Sequence, residues 1–396
     1  MAIFPRLSVV LLAMLAATPV VSSSTLSQLS LTDAVSAAEQ RHSGEGQIEA
    51  STPYQSFSWL AALPSIGIGY LASDENQGTD ETELSVRLPI KSGAGRKYDK
   101  QLKQLALSIQ DTEAQRRRLY LSGLVRESLW SHRIAQARKQ FSKKKITLLE
   151  ELLERQQALF EARSASRYSL LLIQQEIADA RILQQSFEWE VEAWRLRFKS
   201  LTGIATIPEH IIEAALEGQP NYSQHPQLRL LDLGWSRQRA VIAAGSESSK
   251  PWTVALTAKQ LDNPQFEENQ YGMALEIPLS TINISRESSR ADWQEASRSY
   301  WQSRDELQLK LKQAWDSLNG EADHLLRQQA LLDESARISQ QLVIESRSLL
   351  DENELAREIW VRRLLNDIDK QADAAINKLQ IGQNLAMKRQ ATGIPL

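Results

Sequence analysis

The sequence predicts a mainly α-helical fold with a smaller β-portion, written as two successive copies of a strand pair followed by a long coiled-coil helical hairpin. Three observations carry this reading. Landmarks recur: Leu84-Ser85-Val86-Arg87-Leu88-Pro89-Ile90 returns 189 residues later as Met273-Ala274-Leu275-Glu276-Ile277-Pro278-Leu279, and Thr202-Gly203-Ile204 returns 190 residues later as Thr392-Gly393-Ile394. Each copy holds a long stretch without proline, 118 residues between Pro89 and Pro208 and 116 between Pro278 and Pro395. Proline inside a helix removes a hydrogen bond and clashes with the preceding turn, so such stretches are free to be helical. Short alternating segments introduce each stretch. A repeat this long is not a small solenoid unit, whose period is roughly 20–50 residues.

The N-terminus reads as a secretory leader over 1–23. Arg6 supplies a positive start, Leu7 to Ala17 an apolar core, and Ala16 to Ser24 small residues for cleavage. The apolar run is shorter than the ~20 residues a spanning helix needs; retention as an N-terminal anchor is the alternative. An exported chain with no other long apolar run enters a membrane, if at all, as strands. A short helix follows from Leu31 to Gln40, capped by Thr32 or Ser30, and Gly44, Gly46 and Pro53 break its continuity.

The first repeat, 24–204, then offers strands at about 65–73 and 81–90. Ile66, Ile68 and Tyr70 alternate with Gly67 and Gly69; Thr82, Leu84, Val86 and Leu88 alternate with Glu83, Ser85 and Arg87. A polar turn, Ser73 to Asp80, separates them. After a linker at 205–224, the second repeat, 225–396, offers strands at about 252–260 and 270–279 around a polar loop from Leu261 to Asn269. Such alternation fits a membrane barrel strand and a soluble hairpin packed on a core equally well. Trp59 and Trp252 precede strands, where an aromatic girdle would sit at a bilayer interface.

Helical arms follow each strand pair, at about 95–161 and 168–201, then 286–350 and 358–389. Leu102, Leu105 and Ile109, and further on Leu149, Leu152 and Leu153, recur at three and four spacing, with charged residues flanking the seam. At 1.5 Å per residue an arm of this length reaches ~100 Å. A solvated hairpin acting only as a spacer is the plainer reading of the same pattern.

Chemistry is thinly represented. The net charge is −3, with 46 basic and 49 acidic residues interleaved, which gives no field favouring nucleic acid. Without cysteine there is no disulfide, thiolate metal site, cysteine nucleophile or lipidated N-terminal cysteine. His42, His132, His210, His225 and His324 are scattered. Ser92-Gly93-Ala94-Gly95-Arg96-Lys97 lacks the spacing and terminal Lys-Ser/Thr of a phosphate-binding loop and reads as a flexible exit from strand to helix. Carboxylates on the arms sit among Lys and Arg, as on a solvated, paired face. No constellation supports an enzyme, a cofactor or a metal.

Leu29-Ser30-Leu31-Thr32-Asp33-Ala34-Val35, Leu63-Pro64-Ser65, Leu88-Pro89-Ile90 running to Gly95-Arg96-Lys97, Ser166-Arg167 with Leu170-Leu171, Thr202-Gly203-Ile204 and His225-Pro226 follow one another in order. In order, spacing and duplication they resemble the TolC-like outer membrane efflux proteins, over nearly the whole chain beyond the leader. The resemblance implies a homotrimer whose strands close a twelve-stranded barrel in the outer membrane of a Gram-negative bacterium, above an α-helical periplasmic tunnel. It implies a passive conduit working with a periplasmic adaptor protein and an inner-membrane pump of the RND type, for drugs or metal ions, or in type I secretion. Glu83, Arg87 and Glu276 would face the barrel lumen. Trp59, Tyr70, Trp252 and Tyr271 would anchor at the membrane interface, against outer membrane lipid. Arg163, Ser166, Arg167, Asp351, Glu352, Asn353, Glu354 and Arg357 would form the adaptor-docking tip around the aperture.

The chain departs from the family pattern at that tip. Arg163 and Asn353 stand where the family commonly has glycine. The positions matching the aspartates of an acidic constriction fall near Ile359 and Arg362. Asp351, Glu352 and Glu354 would supply a charged rim, or simply a solvated turn. The stretch from His42 to Pro64 is shorter than that from His225 to Trp252, as if the first repeat's equatorial part were trimmed. The competing readings are a soluble periplasmic coiled-coil scaffold and an adaptor, which has one hairpin nested in split β-domains.

Overall fold

The computed structural model describes residues 30–42, 58–208, 211, 213, 214, 216, 218–245, 250–278, 287–346 and 354–396. The predicted leader lies outside this set. The elements run α1 (Leu31–His42), β1 (Ser65–Leu71), β2 (Asp80–Ile90), α2 (Gly93–Glu161), α3 (Arg167–Thr202), α4 (Pro226–Ala244), β3 (Trp252–Asn263), β4 (Phe266–Glu276), α5 (Glu287–Ser346) and α6 (Glu354–Ala391).

Local chemistry sets the boundaries. Ser30, rather than Thr32, caps α1: its Oγ accepts from Asp33 N at 3.1 Å while Asp33 Oδ2 accepts from Ser30 N at 3.1 Å, a reciprocal pair that satisfies two orphan donors. Gly93, Ala94 and Gly95 are not a loose exit but the first turn of α2, because Ser92 Oγ accepts from Gly95 N at 3.1 Å and starts the helix there. α3 ends at Gly203, whose φ of 77° is the left-handed conformation that closes a helix at little cost to glycine. The sequence reading left residues 226–244 unassigned. They form α4, capped by His225 with Pro226 in the first turn.

The four strands make one antiparallel sheet in the order β1-β2-β3-β4, so the two repeats meet at β2 and β3. The loop expected over Leu261–Asn269 is a correction. β3 continues to Asn263 and β4 starts at Phe266, leaving Pro264 and Gln265 as the turn. Asn263 fixes it: its Oδ1 accepts from Gln265 N at 3.0 Å, and its Nδ2 donates to Gln77 O, Gly78 O and Thr79 Oγ1 in the β1–β2 connection. Polar residues therefore extend the strands rather than ending them.

The helices mirror the sheet. α2 packs between α3 and α6, and α6 between α2 and α5, which gives the lateral order α3-α2-α6-α5. α2, 69 residues long, corresponds to ~100 Å. Its buried face supplies two cores. The upper joins Leu121, Val125, Leu129 and Trp130 to Ala34, Val35 and Ala38 of α1, Phe198 of α3 and Ala386 of α6. The lower joins Ile146, Leu149 and Leu152 to Ile173, Ile177 and Ala180 of α3 and to Trp360 of α6.

Polar and tight contacts bind the repeats near the upper core. Arg126, 1% exposed, grips Glu213 through Nε at 3.0 and 3.1 Å and Nη2 at 2.6 Å, while Nη1 donates to Gln390 Oε1 at 2.7 Å and Ile394 O at 3.1 Å. Gly382 of α6 lies flat against the Trp130 indole; a Cβ there would come within 2.4 Å of the ring. The α5–α6 seam is pinned by Asn377, donating to Leu325 O and Gln329 Oε1, and by Asn384, donating to Leu318 O and Glu321 Oε2. Buried amides at such seams specify register.

Candidate functional site

Side chains alternate between sheet faces, and the register assigns each residue to one. Ile66, Val86, Leu256 and Met273 form one cross-strand row; Ile68, Leu84, Ala258 and Tyr271 form the next; Tyr70, Thr82, Gln260 and Asn269 the third. This face is apolar and uncovered: Ile68 is 80% exposed, Met273 77% and Tyr271 84%. The opposite face carries the rows Gly67, Ser85, Thr257, Gly272 and Gly69, Glu83, Lys259, Gln270, then Leu71, Glu81, Leu261, Glu268 nearer the turns. Here Lys259 Nζ meets Glu81 Oε2 at 2.6 Å. An apolar face in open view costs solvation, so this sheet is suited to hydrocarbon on one side and water on the other.

The register puts Glu83, Arg87 and Glu276 together on the polar face. Glu83 lies opposite Lys259, Arg87 opposite Ala255, and Glu276 opposite Thr253. The aromatic residues fall into two levels. Trp252 pairs with Ile90, and Trp59 O accepts from Lys91 N at 2.8 Å beside the Leu60–Ile90 bridge, so both tryptophans flank the helix end of β2. Tyr271 sits opposite Ala258 and Tyr70 opposite Thr82. At 3.3 Å per residue, six to eight residues of β3 separate the levels by ~20–26 Å, close to the ~25 Å apolar band of a membrane barrel. Among the described residues, outer strands β1 and β4 each have one unpaired edge. Such an edge is a template for another strand.

The helical layer has the same character. Its outer members α3 and α5 carry apolar residues that stay exposed among the described residues: Tyr168, Leu171, Ile182, Trp189 and Leu196 on α3, Leu309, Leu331 and Ile344 on α5. In the sequence α3 is marked only as an arm at about 168–201, and this exposed seam is not singled out. Its signal is Tyr168, Ile182, Trp189 and Leu196 at multiples of seven, a period that marks a coiled-coil contact.

At the far end, the α2–α3 turn brings Arg163, Ser166 and Arg167 together. Arg163 has φ 57°, the left-handed conformation glycine favours, within a closing motif in which Ser164 N bonds Leu159 O at 2.8 Å and Arg163 N bonds Phe160 O at 2.9 Å. Ser166 caps α3 by accepting from Ser169 N at 3.2 Å, and Gln156 Nε2 braces Ser169 Oγ at 2.6 Å. Arg163 and Arg167 are exposed and Ser166 half-buried. Asp351, Glu352 and Asn353 lie outside the described residues; Glu354 and Arg357 fall in the first turns of α6, with side chains outside that set. Among the described residues no group of His, Cys, Asp and Glu is arranged to hold a metal ion, and no helix is long and apolar enough to cross a membrane.

No protein-family model matches the chain, and no curated protein matches it by sequence. Solved structures do match in fold. VceC, an outer membrane protein from Vibrio cholerae, is 11% identical with TM-score 0.56, over 92% of this chain and 92% of that one. The MtrE outer membrane channel of Neisseria gonorrhoeae, in its open state, is 12% identical with TM-score 0.58, over 84% and 81%. A membrane protein from Pseudomonas aeruginosa is 14% identical with TM-score 0.59, over 92% and 86%. The fold, long helical hairpins on a four-stranded antiparallel sheet, is that of TolC-like outer membrane channels.

Proposed function

We propose that this chain is the outer membrane channel subunit of a tripartite efflux system of the RND type, for drugs or metal ions, or of a type I secretion system, in a Gram-negative bacterium. Three copies close the conduit. The observation that carries the reading is a sheet with one apolar and one polar face and, among the described residues, two unpaired edges, standing on a helical layer whose outer members α3 and α5 expose apolar residues. At both levels repeat two supplies one edge (β4, α5) and repeat one the other (β1, α3). A head-to-tail contact between copies therefore pairs strands and helices at once, and with a rotation of one third of a turn such a contact closes into a ring of three. Closure satisfies every strand edge, which a lipid-facing sheet requires. Glu83, Arg87 and Glu276 then line the lumen, and the four aromatic anchors stand at the two interfaces.

Transport through such a tunnel is passive, and the chain performs no chemistry. The tip around Arg163, Ser166 and Arg167, with Asp351, Glu352, Asn353, Glu354 and Arg357, is the surface a periplasmic adaptor engages to open it, and the pump behind the adaptor sets the substrate. The chain divides into two repeats, 24–204 and 225–396, joined through 205–224. A single sheet built from both repeats argues against an adaptor, whose one hairpin interrupts its β-domains.

The test is fractionation of the expressed chain followed by current recording in planar lipid bilayers. Recovery in the outer membrane with stepwise conductance is expected. Recovery as a soluble periplasmic monomer that forms no pores overturns the proposal and leaves the scaffold reading. Arg167→Glu should weaken crosslinking to the adaptor without changing assembly or conductance.

A further inference from the structure

The first turns of α2 carry a basic stripe that the channel reading leaves unused. Residues 91–103 include Lys91, Arg96, Lys97, Lys100 and Lys103 against a single acid, Asp99, in a chain whose net charge is −3. Asp99 is taken by Lys91. Arg96, Lys97, Lys100 and Lys103 are exposed and, among the described residues, make no ion pair. At 100° per residue, Arg96, Lys100 and Lys103 fall within an arc of about 60°, with Lys97 beside them. The opposite side of the helix, through Tyr98, Leu102, Leu105, Ile109 and Thr112, is the half-buried to buried one.

Position gives the stripe its meaning. α2 begins three residues after Ile90, at the level of Trp252 and Trp59. Arg96, Lys97 and Lys100 stand within about 10 Å of the start of α2, and Lys103 within about 15 Å. The headgroup layer of a leaflet is ~5–8 Å deep, and a surface potential persists for a Debye length of about 8 Å beyond it. The positive end of the α2 dipole adds to the same field. The repeats differ here. In the second, α4 has 19 residues, and in the first its counterpart α1 has 12. α1 packs lower, on Leu121, Val125 and Leu129, α4 lies on another side of α2, and among the described residues the basic side chains stay exposed.

We propose that this stripe is a docking surface for anionic phospholipid headgroups of the periplasmic leaflet, one patch per copy. The inference rests on the membrane reading above. A cation at a phosphate-rich surface gains from Coulomb attraction and keeps its water-exposed position, giving roughly a fivefold preference per basic residue. Lys and Arg reach the phosphates with ammonium and guanidinium donors, and a guanidinium such as that of Arg96 can pair bidentately with a phosphate.

The experiment uses the full chain, reconstituted into vesicles of phosphatidylcholine with about a quarter phosphatidylglycerol, re-extracted in mild detergent, and assayed for retained lipid by mass spectrometry. The wild type should retain phosphatidylglycerol at least about fivefold above its bulk ratio, and about 1 M salt during extraction should remove the excess. Combined Arg96→Gln, Lys97→Gln, Lys100→Gln and Lys103→Gln should bring retention to the bulk ratio. Lys143→Gln with Arg155→Gln, exposed bases far down α2, should leave it unchanged. Enrichment that survives the fourfold substitution, that resists salt, or that never appears in inserted protein overturns the lipid site. Failure to float with the vesicles overturns the membrane reading itself.

Discussion

Replacing Arg126 with methionine removes the most heavily bonded buried side chain in the molecule's upper core. Three of its contacts reach Glu213, and the other two reach Gln390 and Ile394 of the C-terminal segment. Removing one member of a buried ion pair typically costs ~3–5 kcal/mol, because the partner is left charged and dry. Here Arg389 Nε stays 3.2 Å from Glu213 Oε2, so the residual charge is partly compensated and the loss should sit at the lower end, ~3 kcal/mol. Arg126→Met with Glu213→Leu removes both charges and should recover ~1–2 kcal/mol of it. Urea unfolding of the helical signal at 222 nm reads both variants against the wild type. A single variant within ~0.5 kcal/mol of wild type, or a double variant no better than the single, would refute the account of Arg126 as the clamp between the repeats.

Three further substitutions test packing, backbone and protonation. Gly382→Ala drives a methyl to 2.4 Å from the Trp130 ring and should cost ~1–3 kcal/mol, with Trp130→Leu restoring part of it in the same melt. Arg163→Gly relieves a left-handed residue and should stabilise the α2–α3 turn by ~1 kcal/mol, seen as slower amide exchange at Ser164. Burial holds the His225 imidazole below its usual range while Nδ1 accepts from Gln227 N at 3.3 Å. The unfolded chain therefore binds the extra proton first. Stability from this residue is full above the unfolded value of about 6.5 and lost as the pH falls below it. His225→Asn keeps a capping acceptor and should reduce the fall in melting temperature between about pH 7.5 and pH 5.

Much of this architecture is legible in the chain because its signals are periodic. Alternation over Thr82–Leu88 and Tyr271–Ile277 locates strands, since one face had to be apolar for any fold that uses them. The long proline-free stretches locate the arms, and Thr-Gly-Ile marks the left-handed closure seen at Gly203 and Gly393. What escaped has specific causes. The Asn263 turn was hidden because polar residues continue β3 and β4 past the apolar band, so no hydrophobic alternation marks where the strands end. α4 was passed over because a helix of 19 residues between a proline-rich linker and a strand has too little periodicity to stand out. The exposed seam on α3 lies on the opposite face from the buried one but is interleaved with it in sequence, so a single run of apolar residues hides two contacts. Arg163 adopting the glycine conformation was visible only as a mismatch, an arginine where a turn favours glycine.

The closure of three copies through their repeat edges is the central claim, and the absence of cysteine makes it directly measurable. Single cysteines introduced along β4, from Glu268 to Ala274, are each paired with one at Gly69 on β1 and oxidised in the membrane. The account predicts that one register yields covalent species ending at three chains, with no larger ladder. Protein that inserts yet stays monomeric across the whole scan, or that links without limit, would contradict it.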